Sequence, residues 1–273
     1  MAQAYWTLGD FTMMPSQEAY PQAKASAMRA LKLDESLAEA HYALALVRHF
    51  YEWNQADARK EFQRALQLKP NDAIIRSDYA YYLCPMGEYE QAITEAKHAQ
   101  ELDPLNLYTA VNLAGVLSYS RHYDEAIAQF RAGLELSPNN MDMQRELGYP
   151  LIAKGMFDQA ITEIKRFQSM APSNPELLSE LGVAYARAGR RSEAIQILNT
   201  MEEKRKQEPV KPYMLAGLYR DVGNKDRALD WLEKAVEERD DWLVWLYVDP
   251  LFDPLRSEPR FQAVLKRVGL PAK

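Results

Sequence analysis

Small residues recur along this chain at a fixed interval, and most are followed by a bulky apolar residue one helical turn later. Six alanines stand 34 residues apart, and five of them have a large apolar residue four positions further on. The six are Ala58, Ala92, Ala126, Ala160, Ala194 and Ala228. Twelve residues before each of the last five, a bulky residue precedes another small one, as in Leu147-Gly148. Because residues four apart share one helix face, the pattern predicts repeated helix pairs that touch at small residues.

The predicted helices end at glycine or proline. Four glycines each lie five residues before a recurring alanine, where a helix end favours a left-handed residue: Gly87, Gly155, Gly189 and Gly223. Four prolines each follow an apolar residue by two positions and forbid continuation of the second helices: Pro70, Pro104, Pro138 and Pro172. These signals predict an all-α chain of seven units at about residues 2–37, 38–72, 73–106, 107–140, 141–174, 175–208 and 209–241.

These residues resemble the tetratricopeptide repeat. The resemblance rests on the small residue of each first helix, the aromatic residue that opens the second (Tyr89, Tyr123, Phe157), its alanine and the closing Leu-x-Pro. It covers residues 2–241 and implies a right-handed α-α superhelical solenoid that binds protein or peptide partners on its concave side. The first unit departs from the pattern with two extra residues in the turn at 13–16, and the last two units lack the closing proline.

A narrower resemblance concerns the whole tract together with Tyr51-Glu52-Trp53 and the tail from Asp249-Pro250 to Phe261. The tract looks like the repeat blocks at the C-terminal ends of bacterial and archaeal signalling proteins, behind winged-helix, nucleotide cyclase or Ser/Thr kinase domains. This likeness implies a sensory or partner-docking region. Ala2 already opens the first unit without a capping residue ahead of it, so we expect the chain to be the C-terminal part of a longer protein.

Residues 242–273 leave the repeat pattern and are predicted to form a helical cap. The run from Trp242 to Tyr247 is apolar enough to lie against the last hairpin, and a stacked array must cover the apolar face of its final unit. Asp249, Asp253 and Ser257 each precede a proline by one or two residues, as at helix starts. The alternative is that this aromatic run forms a docking site.

Helical register places a set of tyrosines on the concave face. The predicted partner-binding residues are Tyr42, Tyr81, Tyr108, Asn112, Arg145, Tyr149 and Tyr213. Tyrosine offers a rigid apolar ring and one hydroxyl, which suits peptide recognition. The alternative for any one tyrosine is packing between hairpins. Asn112 is the only amide that resembles the carboxylate clamp of some relatives, so a clamp for acidic tails is not expected. Pro150 interrupts a first helix and either bends it or opens the groove beside Tyr149.

Composition and charge exclude several classes of function. The formal net charge of −6 and the sequence pI near 5.4 argue against nucleic-acid binding, which draws on clustered Lys and Arg. The chain has no apolar run long enough to cross a membrane and no signal peptide at its start, so an intracellular, cytoplasmic protein is expected unless a membrane span precedes this region. Cys84 stands alone and is expected to be a buried apolar residue.

The sequence shows no arrangement of residues that is typical of a catalytic or cofactor-binding site. The four histidines stand at unrelated positions of three units, and no phosphate loop or nucleophile motif occurs, so neither an enzyme nor a cofactor is predicted. Three roles stay open. The first is a scaffold that binds a protein or peptide, the second is an arm that self-associates to join attached domains, and the third is a sensor for a small molecule.

Overall fold

The computed structural model describes residues 16–169 and 174–272. The expectation for the first helix of the first unit, which Ala2 opens, lies outside these residues. So does the expectation for the closing proline at position 172. The assignment of seven unit boundaries therefore stays a prediction, and the helices are given below as the structure has them.

Fourteen α-helices, and no strand, lie within the part of the chain that the structure describes. In chain order they are α1 Ser16–Leu33, α2 Ala38–Val47, α3 Gln55–Leu68, α4 Ala73–Leu83, α5 Tyr89–Leu102, α6 Leu107–Tyr119, α7 Tyr123–Leu136, α8 Met141–Ala153, α9 Phe157–Gln168, α10 Pro175–Arg187, α11 Arg191–Arg205, α12 Pro212–Asp221, α13 Lys225–Glu237 and α14 Pro259–Val268. A π-helical turn extends α2 over Arg48–Glu52. The predicted all-α superhelical repeat is confirmed.

The helix pairs are held together at the small residues that the sequence pattern singled out. All six recurring alanines are fully buried. At Gly148 and Gly182 a Cβ atom would approach side chains of the neighbouring helices to 2.7 Å and 2.4 Å respectively, so only glycine fits without a shift. Close backbone contact of this kind fixes how each hairpin stacks on the next.

Capping residues and left-handed residues form the starts and ends of the helices. Asparagine or aspartate caps several helices by accepting a hydrogen bond from the first turn, as Asp72 does for α4 and Asn174 for α10. The four glycines predicted at helix ends all have positive φ, between 78° and 85°. At the corresponding turn between α6 and α7, Arg121 stands in place of glycine and takes the left-handed conformation at φ 67°.

The C-terminal segment, defined here as residues 241–256, does more than cover the last hairpin. It forms two 3₁₀ helices, Asp241–Trp245 and Pro250–Leu255, and it crosses the concave side of the array. The Trp245 ring stacks on Tyr119 at 4.4 Å and meets Tyr81 edge-on at 4.4 Å. Residues 242–247 were expected to lie against the last hairpin, and in the structure this run also reaches Tyr81 of α4 and Tyr119 of α6. The tyrosine-rich inner face offers this apolar run a larger surface to cover than the final unit does.

The same segment and the helix that follows it join the two ends of the array. The Tyr20 hydroxyl of α1 donates to Asp241 at 3.1 Å, and Arg239 lies over the Trp53 ring at 4.6 Å. Beyond α14, Gly269 sits directly against the Trp53 carbonyl. In an open solenoid each repeat contacts only its neighbours. Here the last unit also contacts the first two, so the array closes into a ring.

Replacing Gly269 with alanine tests this closure. Gly269 has φ 71°, and a Cβ atom there would lie 2.8 Å from the Trp53 carbonyl oxygen, a backbone atom that cannot move aside cheaply. Gly189 has φ 78° with no atom within 4 Å of a Cβ, so Gly189→Ala carries the same backbone strain without the contact. We expect Gly269→Ala to lower the free energy of unfolding by about 1–2 kcal/mol more than Gly189→Ala, measured in urea. Equal losses would contradict the closure contact.

Candidate functional site

The ring encloses a cavity of about 740 Å³, called here the central cavity. Its walls come mainly from the first helices of the hairpins, α4, α6, α8, α10 and α12, and from the C-terminal segment. Six of the seven predicted partner-binding residues line it: Tyr81, Tyr108, Asn112, Arg145, Tyr149 and Tyr213. The structure thus brings together side chains that are up to 132 residues apart in the sequence. Whether they bind a partner stays a prediction.

Tyr42 does not reach the central cavity, which corrects the expectation that it faces a partner. Its side chain is only 3% exposed, its ring packs against Phe62 of α3, and its hydroxyl donates to Asp78. Phe62 of α3 and Asp78 of α4 cover this position, so helical register alone does not place Tyr42 at the cavity. Tyr42 therefore supports a lining residue instead of lining the cavity itself.

Asp78 organises the first part of the wall. It accepts hydrogen bonds from the Tyr108 hydroxyl at 2.6 Å and from the Asn112 side-chain amide at 2.8 Å, in addition to that from Tyr42. Burial raises the pKa of this carboxyl group to about 6, and the three hydrogen bonds act in the opposite direction. The Asn112 amide, predicted to face a partner backbone, is already engaged in this way. Tyr108 keeps 38% of its surface exposed.

Asp249 organises the opposite wall. Its carboxylate accepts from the Tyr149 hydroxyl at 3.2 Å, the Tyr213 hydroxyl at 3.0 Å and the Leu251 amide at 2.8 Å. Burial raises the pKa of Asp249 as well as that of both tyrosines, which therefore remain protonated donors. Sequence reasoning treated Asp249 only as a helix start, since nothing in the pattern shows that the tail passes through the cavity.

A group of charged residues from α8 and α10 forms the third part of the wall. Arg145 pairs with Glu146 at 2.9 Å and with Glu176 at 2.8 Å. Glu180, one turn along α10 from Glu176, has a buried Oε2 atom that makes no hydrogen bond with any residue the structure describes. Burial, followed by repulsion from Glu146, raises the pKa of Glu180 well above its ordinary value. The three glutamates were missed because their spacing resembles that of an ordinary solvated helix face.

Lining residues of the central cavity are aromatic and acidic. The aromatic set is Phe50, Tyr81, Tyr108, Tyr119, Tyr149, Phe167, Tyr213, Trp242, Trp245 and Phe252. Seven lining residues are acidic and two are basic. The acidic ones are Asp78, Asp142, Glu146, Glu176, Glu180, Asp241 and Asp249, and the basic ones are Arg145 and Arg220. The walls combine apolar rings with an excess of negative charge.

His49 and Cys84, which lie outside the central cavity, are both buried. Burial lowers the pKa of His49 to about 4, and its ring is hydrogen-bonded to Gln55. Burial raises the pKa of the Cys84 thiol to about 12. No group of three His, Cys, Asp or Glu side chains within the described ranges is placed to hold a metal ion. In the same ranges, no helix combines the length and the apolar character that crossing a membrane would need.

Three models of the tetratricopeptide repeat match the chain, over residues 111–175, 151–211 and 213–241. No curated protein sequence matches it. Among solved structures it is similar to a tetratricopeptide repeat protein from Parabacteroides merdae, with 14% identity, a TM-score of 0.64, and coverage of 97% of this chain and 99% of that one. It is also similar to PilW, a type IV pilus biogenesis factor, with 20% identity, a TM-score of 0.60, and coverage of 78% and 96%. At these identities the likeness concerns the fold.

Proposed function

Because this chain is a tetratricopeptide repeat protein, we propose that it is a non-catalytic scaffold whose central cavity holds a short segment of a protein or peptide partner. The observation that carries the proposal is that four of the five predicted tyrosines line one cavity of about 740 Å³. That volume falls within the range of roughly 300–1,000 Å³ in which proteins hold small ligands. We further propose, from the narrower sequence resemblance, that the array is the docking region of a larger regulatory protein.

The C-terminal segment decides how much of a partner can enter. In an open superhelix an extended peptide can follow the concave surface across several hairpins. Here Trp245 covers Tyr81 and Tyr119, and Arg187 donates to the Leu251 carbonyl at 3.2 Å. The concave surface is thus already partly occupied by the chain itself. A few residues of a partner fit beside the segment, and a long extended peptide does not.

The size of the cavity also favours a second candidate, the small-molecule sensor. A cavity of this volume with convergent hydroxyl and carboxylate groups is the usual form of a small-ligand site. The two candidates differ in whether a peptide backbone is needed for binding. To separate the two candidates, heptapeptides that bind the chain are selected first, and binding of their single amino acids is then measured. A small-molecule sensor would bind the free amino acid as well as the peptide.

Tyr108 is the residue best placed to test the proposal. Its ring is the most exposed of the predicted tyrosines in the cavity, and truncation of such a ring at a binding site weakens binding by about tenfold. Heptapeptides selected by phage display on the purified chain are the probes, and their affinities are measured by isothermal titration calorimetry. We expect Tyr108→Ala to weaken them about tenfold while the far-ultraviolet circular dichroism stays unchanged.

Tyr219→Ala is the matched control. Tyr219 lies on α12 outside the central cavity, and its hydroxyl donates to Glu202 at 2.5 Å. The control should bind the selected heptapeptides like the original chain. If Tyr108→Ala also binds them unchanged, or if selection yields no binding peptide, the central cavity is not the site.

A further inference from the structure

We infer that the partner segment held in the central cavity presents a cationic side chain, lysine or arginine, to the carboxylates of its wall. This inference rests on the proposed peptide-binding function and specifies its ligand. The lining of the cavity is predominantly acidic, with seven acidic and two basic residues. A partner that brings positive charge would complement this field, whereas an acidic partner would be repelled.

The two lining arginines already form ion pairs with acidic residues of the chain. Arg145 pairs with Glu146 and Glu176, and Arg220 pairs with Asp221 at 2.5 Å. Lys211 pairs with Asp241 at 2.8 Å. These cations form ion pairs with other carboxylates, although Arg220 also favours the ionised form of Asp249 and Arg145 that of Glu180.

Four lining carboxylates consequently make no ion pair with a described lysine or arginine: Asp78, Asp142, Glu180 and Asp249. Two of them are held by neutral donors only, Asp78 by hydroxyl and amide groups and Asp249 by tyrosine hydroxyls and a backbone amide. Neutral donors satisfy the geometry of a carboxylate but leave its charge in place. The walls therefore hold acidic groups without a paired cation, and an incoming cation would favour their ionised forms.

Glu180 differs from these carboxylates, because no hydrogen bond to it is found among the described residues. Its Oε2 atom is buried against Gly148 of α8, and the residue lines the cavity close to Arg145, Glu146 and Glu176. Burial and repulsion from Glu146 raise the pKa of Glu180, because a desolvated carboxylate without a partner costs free energy. An ammonium or guanidinium group that enters the cavity would recover part of that cost, so Glu180 is the acceptor that we assign to the ligand.

The aromatic part of the wall suits the same ligand. Cations pack over the faces of Tyr and Trp rings, and the aliphatic stem of Lys or Arg packs along apolar surface. Tyr108, Tyr149 and Trp242 line the cavity together with the carboxylates. Elsewhere the chain uses this contact internally, with Lys211 lying 4.8 Å from the Trp242 ring centre. A cationic side chain would thus find both charge and apolar surface in one place.

Four synthetic heptapeptide pools test the inference. Each pool has capped ends, uncharged residues at six positions and a fixed central residue, which is lysine, arginine, norleucine or glutamate. Equilibrium binding of each pool to the full chain is measured by fluorescence anisotropy. We expect the lysine and arginine pools to bind at least about tenfold more tightly than the norleucine pool, and the glutamate pool to bind most weakly.

Glu180→Gln locates the preference within the cavity. Glutamine has the same shape, and Glu180 makes no hydrogen bond that the change would remove, so the variant should fold. We expect the preference for lysine over norleucine to fall at least about threefold. Glu135→Gln makes the same change of charge at an exposed position outside the cavity and should leave the preference unchanged.

The outcomes separate this inference from the proposed function. Equal binding of the lysine, norleucine and glutamate pools would overturn the cationic ligand while peptide binding stands. So would a lysine preference that Glu180→Gln leaves intact. If no pool binds at all, the peptide-binding function itself fails and the inference fails with it.

Discussion

Trp245→Ala is expected to lower the free energy of unfolding by about 3–5 kcal/mol, the usual cost of truncating a buried aromatic residue. The Trp245 side chain is 7% exposed and lies between two rings of distant hairpins, stacking on Tyr119 at an interplanar angle of 15°. Its loss leaves a void at the place where the C-terminal segment touches α4 and α6. The effect should therefore reach beyond the segment and weaken the connection between the two ends of the array.

Urea unfolding followed by circular dichroism measures this effect. Because the C-terminal segment couples hairpins that are not neighbours, we also expect a lower dependence of the unfolding free energy on urea in the variant, as cooperativity is lost. Trp231→Ala is the control, since Trp231 packs against Arg205 and Arg227 at the last hairpins and does not enter the cavity. If Trp245→Ala lowers the free energy of unfolding no more than the control does, the C-terminal segment does not stabilise the closed array.

Arg145→Met is expected to lower the free energy of unfolding by about 3 kcal/mol, because it removes the cation that two glutamates share. The Arg145 side chain is 27% exposed and pairs with Glu146 and Glu176, while Glu180 stands beside them. Without the guanidinium group, three acidic residues face one another in a poorly solvated place, and removal of one partner from a buried pair is strongly destabilising. Methionine keeps most of the volume, so the loss reports charge more than packing.

A second substitution distinguishes charge from packing. Arg145→Met/Glu180→Gln removes one of the repelling carboxylates, and we expect it to recover about 1 kcal/mol of the loss. Arg131→Met, on the exposed outer surface of α7, controls for the change of residue type and should alter stability by less than about 0.5 kcal/mol. If the double variant is as unstable as Arg145→Met alone, repulsion among the glutamates is not the cause.

Most of the fold could be predicted because it depends on local periodicity. Recurring alanines at 34-residue intervals place the buried helix contact, and glycine at four helix ends takes the left-handed conformation that the pattern requires. These features involve residues within one hairpin or its neighbour. They therefore leave a signal at short, regular separation, which a single sequence can show.

The candidate site was only partly predictable for the same reason. Helical register placed Tyr81 and Tyr149 on the inner face, and both line the central cavity. Register does not say what covers an inner face, so it could not decide between partner binding and packing for Tyr42, which is buried against Phe62 and Asp78. Asp249 and Glu180 were missed because their roles depend on contacts between elements far apart in the chain.

By itself, the sequence determined the helices, their pairing into hairpins, their ends and the family to which the repeats belong. All of these follow from side-chain periods and turn residues that act over a few helical turns. Only the tertiary structure decided that the array closes on itself, that residues 241–256 run along its inner face, and that seven acidic residues converge on one cavity. Superhelical closure brings the last hairpin back to the first, and this depends on small rotations summed over all units, which no local pattern in the chain records.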